Sequence, residues 1–127
     1  MKEVFQTVHA PLPSGPYAQG VKVGNFVFVS GQDGVYPNGE LAGETIAEQT
    51  AASLKNIQSI LGAAGATIAD LVSMTCHLAE LNEETVEEFN QVYARFFKDV
   101  DIKPARITVG SQLLGVKVEI SGIAAIR

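Results

Sequence analysis

The chain has 127 residues, 46% of them apolar, a formal charge of −5 and a sequence pI of about 4.9. That length fits one domain, residues 1–127, with room for a real core, and the apolar share is too high for a disordered chain. The negative charge repels phosphate backbones and the nine Lys and Arg are scattered, which argues against general nucleic-acid binding.

The one cysteine, Cys76, has no partner in the chain for a disulfide, so nothing points to an oxidising compartment. Residues 1–10 carry Glu3 and His9 and no long apolar run, unlike a signal peptide. No stretch approaches the ~20 apolar residues that span a bilayer. The expectation is a cytoplasmic protein with no membrane association.

In chain order, Val4–Val8 reads as a short strand, followed by a turn-rich segment from Pro11 to Tyr17. Gly20–Val23 and Phe26–Ser30 flank Gly24–Asn25, a two-residue hairpin signal. A loop with Gly31, Gly34, Pro37, Gly39 and Gly43 comes next. Thr45 and Glu48 form a capping-box pattern ahead of Thr50, Leu54, Ile57, Leu61 and Ala64, which repeat at helical spacing up to Gly65.

Val72–Leu78 reads as a strand with Val72, Met74, Cys76 and Leu78 on one face. Asn82 can cap a second helix with the apolar stripe Val86, Phe89, Tyr93, Phe96 and Phe97, ended before Pro104. Acidic residues near its start and Arg95 and Lys98 near its end suit the helix dipole. Two last strands, Arg106–Ser111 and Val116–Ala125, are separated by Gly115.

The order β-β-β-α-β-α-β-β predicts an α+β fold with two helices on one face of a sheet. Phe26, Val27, Phe28 and Val29 are apolar on both faces of their strand, so the second face needs a cover. Another copy of the same sheet supplies it most simply, giving a closed homo-oligomer; a modest exposed patch is the other reading.

Four side chains stand out chemically. Glu119 alternates with apolar residues on the last strand and could orient a water at a subunit boundary, or simply face solvent. Arg106 opens the strand expected to neighbour that of Glu119 and offers a planar fork matched to a carboxylate, or makes a surface ion pair. Tyr17 is aimed by Gly15-Pro16, and Asn90 lies beside Phe89 on the second helix; each could also be an ordinary turn or helix residue. Cys76 and His77 point to opposite faces of a strand, which is not a zinc ligand pattern, and Cys76 reads as a core thiol. No phosphate-binding glycine loop and no local Ser-His-Asp signature is present.

Together, Gly15-Pro16-Tyr17-Ala18-Gln19-Gly20, Val29-Ser30-Gly31-Gln32, Glu48-Gln49-Thr50, Ala63-Ala64-Gly65, Asn90-Gln91-Val92-Tyr93 with Phe96-Phe97, Pro104-Ala105-Arg106 and Val118-Glu119-Ile120 resemble the RidA/YjgF reactive intermediate deaminase family. The resemblance implies a chorismate-mutase-like α+β subunit with a mixed sheet, assembled as a homotrimer with sites between subunits. It implies hydrolysis of 2-iminobutanoate and 2-iminopropanoate to keto acid and ammonia, without metal or cofactor. By residue match, Arg106 takes the substrate carboxylate and Glu119 positions the hydrolytic water. Tyr17, Ser30, Gly31, Asn90 and Thr108 line the pocket, Thr108 through its backbone where many members carry cysteine.

Ile107, Ser121 and the short loop Leu113-Leu114-Gly115 depart from the family pattern and bear on substrate range. A non-catalytic trimer that binds carboxylate ligands, and an RNA-cleaving or translation-inhibiting protein, are the rival readings.

Overall fold

The computed structural model describes residues 1–127. Its strands are β1 (Lys2–Phe5), β2 (Gly20–Val23), β3 (Phe26–Asp33), β4 (Leu71–Leu78), β5 (Ala105–Gly110) and β6 (Val118–Ala125); its helices are α1 (Ile46–Ala63) and α2 (Glu83–Phe96). A single 3₁₀ turn, Ile68–Asp70, leads into β4. The element order is the one predicted. No helix is long and apolar enough to cross a membrane.

One mixed sheet runs in the order β1-β2-β3-β6-β4-β5, with β4 and β5 parallel and the other pairs antiparallel. Both helices cover one face. Leu54, Ile57, Ile60 and Leu61 of α1 and Phe89 and Phe97 at α2 pack with Val27, Val29, Met74, Cys76, Leu78, Val118, Ile120 and Ala124 of the sheet. Every one of these is a period-two or helical-face position, so the alternation that folds the strands also selects which face meets the helices.

The helix ends follow their local chemistry. The Thr45 hydroxyl accepts from the Glu48 amide at 3.0 Å, and Glu48 accepts in return from the Thr45 amide at 3.2 Å. At the other end Gly65 adopts φ +80°, and the Ala66 amide donates back to the Leu61 carbonyl at 2.8 Å. That left-handed step is open to glycine at no steric cost and stops the helix. Asn82 accepts from the Thr85 amide at 2.9 Å and starts α2.

Three expectations need correction. The first strand is Lys2–Phe5 rather than Val4–Val8, because its pairing with β2 ends at Phe5–Gly20. Val72 does not join Met74, Cys76 and Leu78 on the core face: the register shifts between Leu71 and Ser73, so Leu71 is buried and Val72 exposed. Finally, the Arg106 strand is not beside the Glu119 strand, since β4 lies between β5 and β6.

The face away from the helices carries Val4, Val21, Val23, Phe26, Phe28, Ile107 and Ile123 by register. Phe26, Phe28 and Ile107 are 49%, 44% and 57% exposed. The row leaves an apolar strip of the sheet uncovered on that face.

Candidate functional site

The loop between β1 and β2 places Tyr17. Its anchor is Gln19, whose side chain is only 1% exposed. The Gln19 amide nitrogen donates to the carbonyls of Thr7, Ala10 and Pro11 at 3.0, 3.3 and 2.7 Å, and its oxygen accepts from the Thr7 amide at 2.7 Å. A loop with few apolar side chains to bury is thereby fixed through its own backbone. Tyr17 then lies exposed, its hydroxyl 3.4 Å from both the Ser14 amide and the Ser14 hydroxyl.

Beside it, Ser30 donates through Oγ to the Ala18 carbonyl at 2.6 Å and through its amide to Gln19 at 2.9 Å. A bulge between Val29 and Gln32 breaks the β3–β6 ladder here. Glu119, next along β6, folds its carboxylate over Gly31, where any Cβ would collide with it. Only glycine permits that approach. Beyond the bulge, Asp33 pairs directly with Glu119 across the strands. Ser14, Tyr17, Ser30, Gly31, Asp33 and Glu119, with Gln112, Leu113 and Leu114 from the β5–β6 loop, line a cleft of about 540 Å³.

Two carboxyl groups side by side in a half-buried cleft cannot both ionise freely. Burial, then the charge and the hydrogen bond of Glu119, push the Asp33 carboxyl up to about 6. The proton this retains belongs to the pair.

The second group of residues lies elsewhere. Arg106 is in register with Met74, so its side chain leaves the sheet on the helix-covered face at the β5 edge. Its guanidinium carbon sits 5.3 Å from the centroid of Phe89 and 4.7 Å from that of Tyr93. Stacking on ring faces holds the cation while its N–H donors, which lie in the guanidinium plane, stay available to a carboxylate. Thr108, in register with Cys76, projects on the same side. The Thr108 and Tyr93 hydroxyl oxygens are buried with no hydrogen-bond partner in the chain. Asn90 and Thr108 line a groove of about 780 Å³ along α2.

Cys76 is buried behind this group. Burial pushes its thiol up to about 12 against the lowering effect of Arg106, so it is a core thiol rather than a nucleophile. Burial and Cys76 likewise push the Tyr93 phenol up to about 12, again opposed by Arg106.

The seven residues singled out in the sequence thus fall into two clusters. Tyr17, Ser30, Gly31 and Glu119 converge on one cleft; Thr108 and Asn90 line a second groove, with Arg106 on the same side of the sheet over Phe89 and Tyr93. Glu119 is in register with His77, on the open face, whereas Arg106 is on the helix face two strands away, roughly 10 Å across the sheet. Within one chain the two clusters do not meet.

Sequence reasoning passed over four participants. Phe89 and Tyr93 hold helix-stripe positions by spacing and also form the platform of Arg106. Gln19 was part of a motif with no task, and Asp33 was not singled out. A register across β3 and β6 is what joins Asp33 to Glu119, and no local pattern carries it.

Comparison with known proteins gives a consistent result. The profile of the family described as Endoribonuclease L-PSP matches residues 7–126. A RutC family protein of Pyrococcus abyssi is 43% identical over 126 residues, 97% of this chain and 96% of that protein. Reactive Intermediate Deaminase A, chloroplastic, of Arabidopsis thaliana is 39% identical over 128 residues, 98% of this chain and 66% of that protein. The crystal structure of Escherichia coli TdcF with bound serine superposes with a TM-score of 0.91 at 36% identity, covering 98% of this chain and 99% of that one.

Proposed function

The chain belongs to the Endoribonuclease L-PSP family, and on that premise we propose that it hydrolyses reactive 2-imino acids to 2-keto acids and ammonia. The substrates in this reading are 2-iminobutanoate and 2-iminopropanoate, handled in the cytoplasm by a homotrimer with no metal or cofactor.

The observation that carries the proposal is Arg106, a cation stacked on two aromatic rings with two orphaned hydroxyls beside it. Such a site suits a small carboxylate. The serine bound by the E. coli relative is a ligand of that kind. The open apolar face supports the assembly: a second copy laid on Phe26, Phe28 and Ile107 would bury them, and one whose β5 edge sits beside the next copy's Tyr17–Glu119 cleft would join Arg106 and Glu119 in one site.

The chemistry then runs as follows. Arg106 and Thr108 hold the substrate carboxylate, which fixes the adjacent protonated C=N carbon over the Tyr17–Glu119 cleft. A water polarised by Glu119 adds to that carbon, its O–C bond forming as a proton passes to the carboxylate. The nitrogen of the resulting carbinolamine takes a proton, the C–N bond breaks, and the hydroxyl proton is lost as C=O forms. Iminium and water become keto acid and ammonium.

Ammonia release from freshly generated iminobutanoate, above the spontaneous rate, tests this. A charge-assisted carboxylate contact is worth about 1.5–3 kcal/mol, so Arg106→Ala should lower kcat/KM by about 10- to 150-fold. Equal rates for the two proteins would exclude the role given to Arg106. Saturable binding of 2-ketobutyrate without turnover would instead indicate a binding protein. The family description also names RNA cleavage; a ribonuclease activity abolished by Arg106→Ala would support that reading, which the charge of −5 opposes.

A further inference from the structure

We propose that Asp33 is the proton partner of Glu119, the two carboxyl groups sharing one proton and working as a single acid–base unit. The inference rests on the deaminase reading and adds to it a positioning residue that the family resemblance does not supply.

Three features of the geometry support it. Asp33 and Glu119 are direct cross-strand partners on the open face, just past the bulge that shapes the cleft. Both line that cleft together with Tyr17, Ser30 and Gly31. The Glu119 carboxylate rests on the bare backbone of Gly31, two residues before Asp33 on β3. Burial first, and then the charge and hydrogen bond of Glu119, raise the Asp33 carboxyl, which favours one proton kept between the two groups.

The other titratable groups facing the pair are Tyr17, from the β1–β2 loop, and His77, in register with Glu119 on β4. His77 is tied through Nδ1 to the Ser111 hydroxyl at 2.7 Å. Lys117 is turned away: its ammonium donates to the Glu44 carbonyl. The β5–β6 loop contributes only Gln112, Leu113 and Leu114 to the cleft.

In the reaction the pair starts with one proton, on Asp33. Ionised Glu119 takes a proton from the attacking water as the O–C bond forms, so the pair holds two. One passes to the carbinolamine nitrogen, and the C–N bond breaks. The hydroxyl proton returns to the pair as C=O forms, and the surplus proton leaves with ammonia as ammonium. A lone ionised carboxylate has no proton to give until it has taken one; the singly protonated pair has both one to give and one site to take.

The test combines a titration with a rate profile. Carboxyl-carbon NMR of the full chain should give Asp33 a midpoint near 6, falling towards the ordinary range in Glu119→Gln. With iminobutanoate, wild-type kcat/KM should decline as pH rises above about 6. Asp33→Asn should lose that limb and be about tenfold slower at pH 6, because its amide hydrogen-bonds Glu119 without exchanging a proton. An Asp33 midpoint in the ordinary carboxylate range, or an Asp33→Asn profile that overlays wild type, would overturn the shared proton and leave the deaminase reading standing. Failure of wild type to release ammonia would defeat the deaminase reading instead, and the titration would still decide whether the carboxyl groups share a proton.

Discussion

At neutral pH the Asp33 carboxyl works against the fold. Its folded value, about 6, lies above the ordinary 3.8, so the folded state binds more protons than the unfolded state between those values. Stability therefore falls as pH rises through that window, and the loss is complete above about pH 6. Two units correspond to about 3 kcal/mol, and half exposure to solvent reduces this to about 1–1.5 kcal/mol. Asp33→Asn should accordingly be more stable than wild type by that amount in urea denaturation at pH 7, with the difference shrinking towards zero at pH 4. Equal midpoints at pH 7 would mean that the carboxyl carries no such strain. A residue that lowers stability where the protein works is what a functional site tends to retain. At this scale the sequence disclosed residue types only. Arg106 and Glu119 were visible as a guanidinium fork and a carboxylate; Asp33 acquires its character from burial and from Glu119, which lies far along the chain.

At the scale of elements, the local rules carried most of the fold. Thr45–Glu48 and Asn82 start both helices and Gly65 ends the first; the α1 positions given by helical spacing are buried, while in the α2 stripe Phe89, Tyr93 and Phe97 are buried, Val86 and Phe96 partly so, and Val92 is buried outside it. The strands were found with less accuracy. The Val72 face and the span of β1 depend on pairing partners, which a strand's own residues do not name. The β1–β2 loop is another element whose order is non-local: one buried side chain, Gln19, satisfies three carbonyls and an amide. Gln19→Leu would leave those groups unpaired and cost about 2–3 kcal/mol, read as a lower denaturation midpoint. The same substitution should raise KM for the imine, since Tyr17 rides on this loop. A variant with wild-type stability would show that the loop is held by other contacts.

For the whole molecule, the separation of the two clusters is the governing fact. Arg106 and Glu119 emerge on opposite faces of one sheet, so a single copy cannot apply both to one small substrate. The proposed assembly makes a definite prediction. Arg106→Ala and Glu119→Gln, each much slower than wild type alone, should gain activity when co-expressed. A site needs Arg106 from one copy and Glu119 from the next, so random mixing in a closed ring should restore about a quarter of wild-type activity. Mixed protein no more active than its parents would place the chemistry within one chain and defeat the shared site.

By itself the sequence determined the element order, the helix faces, the caps and the residue types a carboxylate chemistry would use. These follow from period, turn and capping preferences that act over a few residues. Tertiary structure decided the rest: that β4 separates β5 from β6, that Phe89 and Tyr93 carry Arg106, that Gly31 admits Glu119, and that Asp33 meets it. Each of these is a contact between segments distant in the chain. Strand order and register set them, and those arise from how the whole apolar surface is buried rather than from any local stretch.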